Sequence, residues 1–168
     1  MSSTTEYEKL ISVLEAIDIH HEFKDEWRND EAMLRIFIKI HIGNFLPSET
    51  DTFGTYLSRL RDFKGMSNVE LAKRTGLTEQ TISKYLHDAG RTKESTLALM
   101  IAFELKPPQI DAVFSLAELR IDRKTNYNDI INYYLENSSS ESVKECNRTL
   151  ILFGFLPLTN IGTDAFNR

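Results

Sequence analysis

Asn68 to His87 reads NVELAKRTGLTEQTISKYLH, and this stretch decides the fold of the chain around it. Val69, Leu71, Ala72 and Thr75 begin a short helix behind Ser67, and Ile82, Tyr85 and Leu86 belong to another behind Thr78. Ser and Thr suit these starts because their side-chain oxygens accept orphan amide N–H groups of the first turn. Helices this short are not stable alone in water, so they must pack against each other. Gly76 sits between them, where a tight corner needs a positive φ that glycine adopts without steric cost. Ala72 falls at the crossing, where a small side chain allows close approach. Leu71, Leu77, Ile82 and Tyr85 are expected to fill the seam, and the corner pushes the second helix outward.

Working outward, helical periodicity continues on both sides. Phe53, Tyr56, Leu57 and Leu60 form one stripe, predicting a helix over 53–64. Leu97, Met100, Ile101 and Leu105 form another, stopped by Pro107-Pro108. Ile110, Val113, Phe114 and Ala117 follow, with proline tolerated in the first turn. Tyr127, Ile130, Ile131, Tyr134 and Leu135 predict a sixth helix of this series. Val143, Cys146, Asn147 and Leu150 predict a seventh, ended by Gly154. Residues 53–156 therefore read as all-helical with short connections.

The leading residues differ. Ser3-Thr4-Thr5-Glu6 has capping-box spacing, and Tyr7, Leu10, Ile11 and Leu14 extend a helix from Thr4 to Ala16. Leu34, Ile36, Ile38, Ile40 and Ile42 then alternate with Met33, Arg35, Phe37, Lys39 and His41, which is a strand pattern. A weaker alternation over Ile17–Phe23 precedes it, so a helix followed by a β-hairpin is expected. A helix over 31–42 is the alternative. Asn44 to Thr52 reads as a linker around Pro47. The expected organisation is an N-terminal unit over 1–51, a helical domain over 52–120 and a helical extension over 121–168.

The chain has 168 residues, which suits one domain with an appendage and excludes large scaffolds such as the eightfold strand-helix barrel of about 250 residues. Its net charge is −5, distributed as −6 over residues 1–51, +2 over 52–105 and −1 over 106–168. A polyanion is therefore expected to meet the middle segment. A single cysteine cannot close an intrachain disulfide, which suits a reducing compartment. The sequence has no 18-residue apolar run and no basic-then-apolar start, so a cytoplasmic location away from membranes is expected.

The 68–87 stretch resembles the helix-turn-helix of the Cro and phage-repressor (XRE-type) family. The matching residues are Leu71-Ala72, Thr75-Gly76-Leu77-Thr78, Thr81-Ile82-Ser83 and Tyr85-Leu86, with helices 53–64 and 96–105 at the family's distances. The tail pattern Val143…Asn147…Leu150…Gly154…Pro157-Leu158 resembles a variant with added helices. The resemblance implies a mainly α fold: a five-helix lambda-repressor-like domain with additional C-terminal helices. It further implies a protein that places helix 78–87 in the major groove of double-stranded DNA, commonly as a homodimer on half-sites about 34 Å apart. Thr78, Glu79, Gln80, Thr81 and Lys84 then line the reading face. Gln80 suits adenine N6 and N7, Lys84 guanine O6 or N7, and Glu79 cytosine N4. Asn68 stands where the family commonly has a glutamine that touches the backbone. Arg91 and Lys93 are candidates for further phosphate contacts, although the loop 87–93 departs from the family, which more often has Gly near 88 and Pro near 92.

Each reading has a plainer counterpart. The same corner occurs as a mere packing unit, and Glu79, Gln80 and Lys84 suit a solvated helix face. Tyr127, Tyr133 and Tyr134 read as core plus rim, and Cys146 as a small buried hydrophobe. His20, His21 and His41 lack metal-ligand spacing, so no metal and no cofactor is expected. No GxGxxG, GxxxxGK[ST], HExxH or GxSxG occurs, so an enzyme is not expected. The expected function is a sequence-specific DNA-binding transcriptional regulator, a repressor, with residues 1–51 as dimerisation or partner surface. The alternative is a protein-binding module, antitoxin-like or a phage-encoded inhibitor, that covers a basic partner with the acidic residues 1–51.

Overall fold

The computed structural model describes Ala32, Met33, Ile36 and residues 46–121 and 125–166. Seven α-helices follow one another in this part: α1 (Phe53–Phe63), α2 (Asn68–Thr75), α3 (Glu79–Leu86), α4 (Lys93–Ala102), α5 (Pro107–Leu116), α6 (Asn126–Glu136) and α7 (Ser142–Leu152). A short 3-10 turn, Asp164–Phe166, comes last.

Capping chemistry sets most of the boundaries. The hydroxyls of Thr52, Ser67, Thr78, Thr92 and Thr125 each accept a first-turn amide N–H. In front of α5, whose first two residues are proline, the Gln109 side-chain oxygen instead accepts the Lys106 amide at 2.9 Å. Gly76 ends α2 in the left-handed region, at φ 79°.

The core gathers around α4. Every residue from Leu97 to Phe103 is buried completely, so this helix is apolar on all sides and must be surrounded. α2 packs against one flank and α6 and α7 against others, while α1 and α2 both close on α3. Ile131, Leu135, Val143, Cys146 and Leu150 of the last two helices join the same apolar cluster as Tyr56, Leu57, Leu71 and Ile82. Tyr127 and Tyr134 lie half-buried against it, and Tyr133 is exposed, the expected division into core and rim.

The expected β-hairpin finds no support. Ala32, Met33 and Ile36 are helical, so the helical alternative for 31–42 holds at those positions. The period-two signal was ambiguous because Met33 and Phe37 make the second parity apolar too, leaving no single buried face. The rest of the hairpin and the helix from Thr4 to Ala16 lie outside the described residues.

Candidate nucleic-acid interface

α3 is held from behind and left bare in front. Ile82, Tyr85 and Leu86 turn inward and are buried, against Leu71 of α2 and the stripe of α1. The opposite face carries Gln80 and Lys84, and Glu79 stands at the helix start; all three are exposed. Gln80 and Lys84 are four residues apart, so they share one ridge of the helix. None of these three makes a hydrogen bond or ion pair to any described residue, so all their polar atoms remain available to an outside partner. Eight helical residues span about 12 Å, which fits across a groove of similar width.

The N-terminus of α3 is exposed as well. Thr78 caps it, its Oγ1 accepting the Thr81 amide at 3.1 Å and lying 2.9 Å from the Thr81 hydroxyl. These two hydroxyls are partly spent on the cap, which leaves Gln80 and Lys84 as the long-reaching groups. Glu79 stands in the first turn, where a carboxylate complements the positive helix end.

Asn68 is the first residue of α2, behind the Ser67 cap. Its Oδ1 accepts a hydrogen bond from Arg61 Nη1 at 2.9 Å. That bond fixes the amide so that its Nδ2 donor is left without a described partner. Phosphate oxygens are acceptors, so a fixed donor beside a helix N-terminus suits one. Arg61 did not stand out in the sequence; its role arises across the turn between α1 and α2, where no periodicity reports it.

The loop after α3 is built inward more than its composition suggested. Arg91 lays its guanidinium over the buried Phe53 ring at 4.1 Å from the centroid, with Nη1 3.8 Å from Asp88. Asp88, at φ 62°, accepts the Gly54 amide at 2.9 Å and the Thr52 hydroxyl at 2.5 Å. Lys93 begins α4 and is exposed, with no partner among the described residues. Arg74 is turned away from solvent-facing duty as well. It pairs with Glu70 at 2.9 Å and Glu104 at 2.6 Å, and donates to the Ala102 carbonyl.

The corner itself is tight. A Cβ on Gly76 would stand 2.9 Å from the Cβ of Ile161, in the tail after α7. Among the described residues no group of His, Cys, Asp and Glu side chains could hold a metal ion, and no helix is long and apolar enough to cross a membrane. Neither the curated proteins nor the solved structures include a match to the chain. Residues 57–103, from α1 to the end of α4, match the family model described as helix-turn-helix. That segment of the chain is thus similar to the helix-turn-helix of the Cro and phage-repressor (XRE-like) type.

Proposed function

We propose that the protein is a sequence-specific regulator of transcription that binds double-stranded DNA through α3. The observation carrying this reading is the ridge of Gln80 and Lys84, exposed and unpaired on a helix whose other face is buried. Such residues on a helix of this size match the donor and acceptor edges of the major groove. Thr78, Glu79 and Thr81 complete the reading face. Asn68, Lys93 and the outer edge of Arg91 take phosphate oxygens and fix the register. The regulator acts as a repressor, because a bound domain of this kind blocks its operator, and it does so as a homodimer on a two-fold site. The acidic residues 1–51 supply the dimer contact.

Selection from a pool of random duplexes, followed by footprinting, tests this reading. A recovered two-fold site with half-sites about 34 Å apart supports it. A pool that stays random through the selection removes it. The charge of −6 over residues 1–51 favours a second role, cover for a basic protein partner. Such a partner would be held by the full chain at low salt and released at high salt.

A further inference from the structure

The tail after α7 reaches back across the molecule and rests on the corner between α2 and α3. Thr159 donates its hydroxyl to the carbonyl of Thr75, the last residue of α2. That carbonyl is one of the orphan acceptors left at a helix end, so the bond satisfies a group that the helix cannot. Ile161 covers Gly76, close enough to exclude a methyl group there. Two residues later Thr78 caps α3, so the tail touches the corner from which the reading helix starts.

One buried side chain holds this tail in shape. Asn147 of α7 is completely buried. Its Oδ1 accepts the amides of Leu158 at 2.8 Å and Thr159 at 3.4 Å. Its Nδ2 donates to Thr159 Oγ1 and to the Ile161 carbonyl, each at 3.0 Å. The Thr159 hydroxyl therefore accepts from Asn147 and donates to Thr75, with its single proton used on the corner. The relay runs unbroken from α7 to the turn.

We propose that Thr159 and Asn147 are positioning residues for DNA reading: they fix the angle at which α3 leaves the corner, and through it the discrimination between sequences. The inference rests on the reading that α3 contacts bases. Base-edge hydrogen bonds are short and directional, so a small rotation of an eight-residue helix loses them. Phosphate contacts tolerate it better. Loosening the relay should therefore lower specific binding while sparing non-specific binding, which a purely structural role in stapling the tail would not do.

The test titrates wild type, Thr159→Val and Thr159→Ser against the duplex selected by the wild type and against a scrambled duplex, at one salt concentration. Thr159→Val keeps the shape and loses the hydroxyl; Thr159→Ser keeps the hydroxyl. Thr159→Val is expected to narrow the ratio of the two affinities about tenfold, with scrambled-duplex binding held within about twofold, and Thr159→Ser to restore the ratio. A folded Thr159→Val with an unchanged ratio, or with equal loss on both duplexes, overturns the inference. If Thr159→Val does not fold, Thr159→Ala, which also removes the hydroxyl shared by Asn147 and Thr75 and leaves more room at the corner, is read by the same ratio. A wild type without preference between duplexes overturns the underlying reading of α3. A preference that depends on Lys84 but not on Thr159 overturns this inference alone.

Discussion

The Asp88 carboxylate accepts the backbone N–H of Gly54 at 2.9 Å, joining the second residue beyond α3 to the first turn of α1. The same carboxylate accepts the Thr52 hydroxyl, so one side chain serves two groups at that helix start. Gly54 makes the approach possible, since a Cβ there would lie 2.4 Å from the Leu86 carbonyl oxygen. The far end of the reading helix is pinned to α1 in this way, while the tail holds the corner that precedes its near end.

Asp88→Ala should therefore destabilise the domain. It removes two charge-assisted hydrogen bonds and leaves a non-glycine residue at φ 62° without compensation. A loss of about 2 kcal/mol is expected, read as a lower urea midpoint at unchanged slope.

Two glycines with similar backbone separate strain from contact. Gly65, at φ 67°, has open space where a Cβ would sit, while Gly76, at φ 79°, has Ile161. Gly65→Ala should cost about 1 kcal/mol from the left-handed backbone alone. Gly76→Ala should cost about 1–2 kcal/mol more, because the tail must shift to admit the methyl group. Adding Ile161→Gly, which removes the nearest atom, to Gly76→Ala should recover part of that excess in a double-mutant cycle.

Cys146 offers a pH test. It is completely buried, and burial pushes its thiol up to about 12 from an ordinary value of 9.0. The native thiol should resist a thiol reagent at pH 8 and react only after denaturant is added. A folded-state value raised in this way gives stability that is complete below pH 9 and lost as pH rises from there toward 12. Over that window the unfolded thiol ionises and the folded one does not. The Cys146→Ala variant should lack this part of the decline, which amounts to about 1.4 kcal/mol per pH unit.

Arg91 and Lys93 are expected to separate. Lys93→Ala should leave thermal stability unchanged and reduce the slope of log affinity against log salt by about 1. Arg91→Ala should also cost about 1 kcal/mol of stability, because its guanidinium covers the Phe53 ring.

What the sequence showed and what it hid follow from how far each signal travels. Stripes such as Phe53, Tyr56, Leu57 and Leu60, and caps such as Thr78, are written within one element, so helices α1 to α7 were legible. Gly76 marked the corner because few residues adopt its backbone, and the inward Ile82, Tyr85 and Leu86 left Gln80 and Lys84 on the outward ridge by subtraction. The contacts that hold the site have no such signature. Asn68 with Arg61, Gly54 with Asp88, and Thr75 with Thr159 lie 7, 34 and 84 residues apart. Each is a single polar pair that no periodicity announces. The pattern around Asn147 was visible, yet its purpose depends on a tail that returns to α2. Over 33–42, apolar residues on both parities left strand and helix unresolved.

The central claim is that the exposed ridge of α3 reads bases. The affinity of Lys84→Ala for the duplex selected by the wild type, set beside its affinity for a scrambled duplex, tests it most directly. The account predicts a loss of about 1–3 kcal/mol on the selected duplex and a much smaller loss on the scrambled one, with Gln80→Ala behaving likewise. Lys84→Ala binding the selected duplex as tightly as the wild type would contradict it.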